Sequence, residues 1–215
     1  MNQIFAFDFS MNKPAMVSHI NNKIEFYAWP LSIDKISKEK LSKCNINIFD
    51  RNLPKVNHTG LDEHQLILEH VRRAIDLANM IVDTMNSILK NNNVDKDYVI
   101  VANEGFAFGS KGNACLDLSG YKYILMYILI QNGYKHFRTF APIQLKKIAG
   151  CSKRGLRKNN MIEALANENE LSHKFIKTIK YSSNELKKKT AYVMCTDDLA
   201  DAYWCLKKTI ENENG

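Results

Sequence analysis

A single apolar period between Asp62 and Asn93 restricts what this chain can become more than any other feature. Ile67, Val71, Ala74, Ile75, Ala78, Ile81, Val82, Met85, Ile88 and Leu89 recur at three- and four-residue spacing, a pattern that only a long helix gathers onto one face. Asp62 and Gln65 have the spacing of a capping box at its start, and Asn91-Asn92-Asn93 stops it. Apolar runs at Ile4–Phe9 and Tyr98–Ala102 read as buried strands on either side. The strand, long helix, strand order from Asp62 onward implies a right-handed crossover onto one sheet, and hence an α/β fold.

Around that frame the remaining elements are short. Ala15–Ile20 and Ile24–Trp29 follow the first strand and are parted by Asn21-Asn22, so the chain begins as an antiparallel meander of three strands. Cys115–Gln131 reads as a second apolar helix, Phe137–Phe140 as a strand, and Pro142–Ile148 and Asn159–Asn167 as helices. Thr196 is the expected cap of a last helix running to about Thr209. Residues 31–60 mix Ser, Lys, Asn and Pro with scattered apolar positions and no sustained period, the pattern of a mobile surface excursion. No role is assigned to it. The expectation is one domain over residues 1–215, with a central mixed sheet flanked by helices.

Composition limits the partners. The chain has 215 residues, 45% of them hydrophobic, enough to bury a full core. A formal net charge of +7 favours a polyanion without requiring one. Met1–Ser10 lacks a basic segment followed by a long apolar stretch, and Ile124–Ile130 is too short to cross a bilayer, so a cytoplasmic protein is expected. Cys44, Cys115, Cys151, Cys195 and Cys205 are scattered, with no Cys-x-x-Cys pair, and are read as reduced and mostly buried. The six histidines show no ligand spacing.

Four acids stand out against this background. Asp8 sits on a strand that should be central, where a charge is costly unless it is paired or binds metal. Glu104 ends the strand after the long helix, and strand ends of this kind are where open α/β sheets place their sites. Asp198 and Asp201 are three apart on the last helix and share a face. Asp197 competes for the same role. Simpler accounts exist: acids in a first turn complement the helix dipole, and Lys111 or Arg138 could neutralise Asp8 or Glu104. Together, the acids suit a divalent metal held against a phosphodiester.

The order strand Asp, strand Glu, terminal-helix Asp-x-x-Asp resembles the RNase H-like nucleases, and within them the RuvC-type Holliday junction resolvases. The resemblance is carried by Phe5-Ala6-Phe7-Asp8, by Glu104 followed by Phe106, Phe108, Lys111 and Ala114, by Ala141-Pro142-Ile143-Gln144-Leu145-Lys146, and by Asp198-Leu199-Ala200-Asp201-Ala202. Asp8 through Ala15 is closest in look to the phage and poxvirus members. Ser10 stands where the bacterial pattern has Gly, and the loop from Gly150 to Lys158 is longer.

The resemblance implies an RNase H-like fold and a structure-selective, metal-dependent crossover junction endodeoxyribonuclease acting on four-way and other branched DNA. It implies two Mg2+ ions per site, with Mn2+ as a substitute, held by Asp8, Glu104, Asp198 and Asp201, and no other small-molecule cofactor. Lys146 and Lys158 would stabilise charge on the phosphate. Phe106, Phe108, Lys111, Lys153 and Arg154 would contact DNA. A symmetric homodimer is implied, with Tyr123–Ile130 as the candidate contact and no membrane association. Other RNase H-fold enzymes, for RNA–DNA hybrids or strand transfer, need nearly the same acids, and a non-catalytic DNA-binding module is the more distant alternative.

Overall fold

The computed structural model describes residues 3–54, 56, 59–60, 62–105, 113–152, 158–168, 177–182 and 185–215; within these, the side chains of 113–118, 158, 177–182 and 185–191 are not described. Among the described residues, eight strands and six α-helices run in the order β1 (Gln3–Asp8), β2 (Ala15–Ile20), β3 (Lys23–Ala28), α1 (Lys35–Lys43), β4 (Ile46–Ile48), α2 (Glu63–Asn91), β5 (Val99–Glu104), α3 (Asn113–Gln131), β6 (His136–Phe140), α4 (Pro142–Ile148), α5 (Lys158–Asn167), β7 (Lys177–Ser182), β8 (Glu185–Tyr192) and α6 (Thr196–Asn214).

Six strands form one sheet in the order β4-β3-β2-β1-β5-β6. β2 runs antiparallel to both neighbours, while β1, β5 and β6 pair in parallel, as does β4 with β3. This is the mixed sheet expected from the sequence, an antiparallel meander of three strands with parallel strands added to it. Asn21 and Asn22 both adopt positive φ (49° and 64°) in the β2–β3 turn, which asparagine tolerates best among non-glycine residues.

Strand parity divides the interior in two. Ile4, Ala6, Ile100 and Ala102 point to one face and pack with α6, α4, α5 and Leu41 of α1. Phe5, Phe7, Phe9, Val99 and Val101 point to the other and pack under α2 and α3. The capping box of α2 is present, with Asp62 accepting from the Gln65 N–H and Gln65 accepting from the Asp62 N–H. Helix α6 lies across the sheet with Leu199, Ala200, Ala202, Trp204, Cys205 and Leu206 fully buried. Each large apolar side chain so buried contributes about 1.5–3 kcal/mol, so α6 is anchored through its middle.

Residues 31–60 hold more than the sequence pattern suggested. They contain helix α1 and the edge strand β4, and Leu41, Cys44 and Ile46 are buried in the core. Asp34 caps α1 by accepting from the Ser37 N–H. The buried Ser37 hydroxyl donates to Asp34 and accepts from the Met194 N–H at 3.1 Å, tying α1 to the segment that leads into α6. The last helix also starts differently: Cys195, at φ 68°, is its N-cap, and Thr196 lies inside, its hydroxyl donating to the Val193 carbonyl. β7 and β8, which carry Lys177, Lys180 and Lys187–Lys189, form a separate two-stranded sheet. Among the described residues no helix is long and apolar enough to cross a membrane.

Candidate metal centre

The site begins with register. β1 and β5 are parallel neighbours with Phe7 opposite Asn103, so Asp8 and Glu104 follow side by side at the two strand ends. Both are in phase with the residues that face α6, since Ala6 and Ala102 precede them by two. Helix α6 brings Asp201 over the same point. Carboxylate oxygens of Asp8, Glu104 and Asp201 lie within 4.8 Å of one another, with Asp201 buried and the other two partly exposed.

Backbone packing fixes Glu104. The Gly105 N–H donates to the Phe140 carbonyl at 2.8 Å, and a Cβ at Gly105 would stand 3.1 Å from the Thr139 methyl. A side chain there would force Thr139 to give by a few tenths of an ångström just beyond the acid. Lys122 of α3 donates its ammonium to the Glu104 carbonyl. Below, Cys205 is fully buried one turn beyond Asp201, and burial, reinforced by the charges of Glu104 and Asp8, raises its thiol far above the ordinary range. Both effects favour the protonated thiol.

The donor set fits a hard divalent cation. Three carboxylates from three elements offer oxygen only, and their separation can be bridged by an ion with metal–oxygen distances of about 2.0–2.6 Å. Asp8, Glu104 and Asp201 would hold it.

Asp198 has other company. It is 4% exposed, and its Oδ2 lies 3.1 Å from the Lys13 ammonium. The same ammonium donates to Asp197 at 3.1 and 3.4 Å. Burial, then the hydrogen bond and charge of Asp197, push the Asp198 carboxyl up to about 7 against the pull of Lys13. Burial works to lower Lys13, but the charges of Asp198 and Asp197 outweigh it and hold the ammonium above its usual value. The expected fourth member of the metal cluster is thus one corner of a lysine-centred group in the first turn of α6.

The other expected residues are placed as follows. Lys146 is exposed on α4, and Lys158 opens α5. Phe106, Phe108, Lys111, Lys153 and Arg154 lie outside the described residues. Arg138, considered as a partner for Asp8 or Glu104, pairs with Glu213 at 2.9 Å. Among the described residues, Cys44, Cys151, Cys195 and Cys205 are buried thiols outside any disulfide, in line with the reduced, mostly buried reading. Sequence reasoning missed Lys13 and Lys122. Lys122 had a signal: it is the only cation in the apolar stretch from Asn113 to Gln131.

No protein-family model matches the chain, and no curated protein matches it. Among solved structures it is similar to RuvC of Thermus thermophilus, at 10% sequence identity and a TM-score of 0.46, over 98% of this chain and 96% of that one. A second Thermus thermophilus RuvC structure, in complex with a Holliday junction substrate, gives the same identity, coverage and TM-score.

Proposed function

We propose that the chain is a divalent-metal-dependent endonuclease that hydrolyses DNA phosphodiesters at four-way junctions and other branched DNA. The observation that carries this reading is the convergence of Asp8, Glu104 and Asp201, which are far apart in the chain and offer only hard oxygen donors. The sequence resemblance to RuvC-type resolvases at these same positions narrows the substrate to branched DNA. Bound at the three acids, Mg2+, or Mn2+ in its place, would polarise the scissile phosphate and lower the pKa of an attacking water.

The chain's own groups set the geometry. Strand ends hold Asp8 and Glu104 without side-chain search, and the buried middle of α6 fixes Asp201, so the acids need little reorganisation on binding. Lys122, beside Glu104, adds fixed positive charge where the phosphate must approach an acidic pocket. Lys146 and Lys158 serve the same end from α4 and α5, and Lys111, Lys153 and Arg154 hold the DNA backbone. Phe106 and Phe108 stack on bases opened at the branch point. The net charge of +7 suits this polyanionic partner.

Two sites on opposing strands require a homodimer. Tyr123, Tyr127 and Ile130 are 68%, 64% and 53% exposed along one side of α3, an apolar surface of the kind that a second copy covers. The protein would act in the cytoplasm. The test is Mg2+-dependent cleavage of matched four-way, three-way, flap, duplex and RNA–DNA hybrid substrates, with Asp201→Asn as control. Cutting of the four-way junction in preference to duplex, abolished by the substitution, is expected. Cleavage of the hybrid alone would move the chain to a ribonuclease, and metal-independent binding without cleavage would make it a DNA-binding module.

A further inference from the structure

We propose that Lys13 is a resident cation that takes the place of a second metal ion, so that each chain binds one divalent ion at Asp8, Glu104 and Asp201 while the Lys13 ammonium neutralises the Asp197–Asp198 pair. The inference rests on the metal centre proposed above and concerns how many ions it takes. Three acids at the strand ends and the middle of α6, with two more one turn earlier on that helix, would ordinarily ask for two cations. Here the pair in the first turn of α6 already has a positive charge, with Lys13 Nζ 3.1 Å from an oxygen of each acid.

The loop that delivers Lys13 is fastened on several sides. The Lys13 N–H donates to the Ser10 hydroxyl at 3.1 Å, and Arg51 donates to the Met11 carbonyl at 2.7 Å. The Leu31 N–H donates to the Asn12 carbonyl, and the Trp29 N–H to the Pro14 carbonyl. A lysine on a free loop would gain little from such an ion pair. This one starts from a held backbone and reaches a carboxylate that is 4% exposed, where an unpaired charge is expensive. Removing the ammonium leaves the Asp197–Asp198 pair with a proton or another cation to neutralise it. At a pH above the carboxyl range, a divalent ion held by both acids is the replacement we propose.

The experiment is a Mn2+ titration of the DNA-free protein, followed by calorimetry and by the electron paramagnetic resonance of free Mn2+. The expected counts are one ion for wild type, one for Lys13→Arg and two for Lys13→Met. Asp198→Asn is expected to keep one ion with an affinity within about twofold of wild type, whereas loss of a direct ligand would weaken it tenfold or more. Circular dichroism checks that each variant is folded, and the Asn and Arg variants carry the test if Lys13→Met is not. Two equivalent ions in wild type, one ion in folded Lys13→Met, or a tenfold loss in Asp198→Asn would overturn the role of Lys13 while leaving the metal centre standing. No ion in wild type, with none lost in Asp201→Asn, would overturn the metal centre itself.

Discussion

Asp198 and Asp201 occupy consecutive turns of one helix, and both are buried, yet they face different partners. Asp201 meets Asp8 and Glu104 at the ends of two parallel strands. Asp198, three residues earlier, meets Lys13 from the loop after β1. The residue type is the same and the burial nearly so, at 6% and 4% exposure. What separates them is the company each one keeps: Asp201 converges with two other carboxylates, while Asp198 lies against the Lys13 ammonium.

The contrast can be broken most forcefully at Asp201. Asp201→Asn should lower Mg2+-dependent cleavage by about a hundredfold or more, since a metal clamp on the phosphate is worth several kcal/mol. Asp198→Asn should cost much less, and equal losses in steady-state assays would erase the distinction.

A second probe separates the turns through their supports. Ser37→Ala removes the hydroxyl that accepts from the Met194 N–H just before α6. It should destabilise the fold by about 0.5–1.5 kcal/mol, the worth of a part-buried hydrogen bond, with Mn2+ affinity at Asp201 unchanged. Thermal unfolding with and without Mn2+ would show it.

Acidity offers a subtler discriminator. Burial raises Asp198 from the usual carboxylate range to about 7, so the folded chain holds a proton that the unfolded chain has released. That contribution is complete below the unfolded value and is lost as pH rises through the folded one. In EDTA, wild-type stability minus that of Asp198→Asn should therefore decline between pH 4 and about 7, and a flat difference would remove the shift. At the far end of the same helix the smallest effect is expected. Arg138→Ala breaks a half-exposed pair with Glu213 and should cost under about 1 kcal/mol in denaturant unfolding.

How far these arrangements could be read from the chain depended on where their causes lie. Helix α2 announces itself locally, through its period and its Asp62–Gln65 cap, and needs nothing else to be recognised. The acids at strand ends were visible because a charge on an apolar run is conspicuous. Helix α1 was not visible: of its nine residues only Ser37 and Leu41 are buried, and its partner β4 is three residues long. Their order comes from β3 and from Met194, contacts that no local pattern records. The Thr196 cap was misplaced by one residue because Cys195 takes a left-handed backbone conformation that its side chain does not advertise. Lys13 was passed over for a related reason. A lysine in a polar turn reads as solvated surface, and its partners lie 184 and 185 positions further on.

The placement of Asp201 on α6 also governs when the protein becomes competent. A nascent chain that has released β1 and β5 from the ribosome presents two carboxylates on adjoining strands, with no third donor to close over them. The three-acid cluster is complete only when α6 emerges and docks, so a translation product cut short before that helix would lack it, and with it the nuclease activity proposed above.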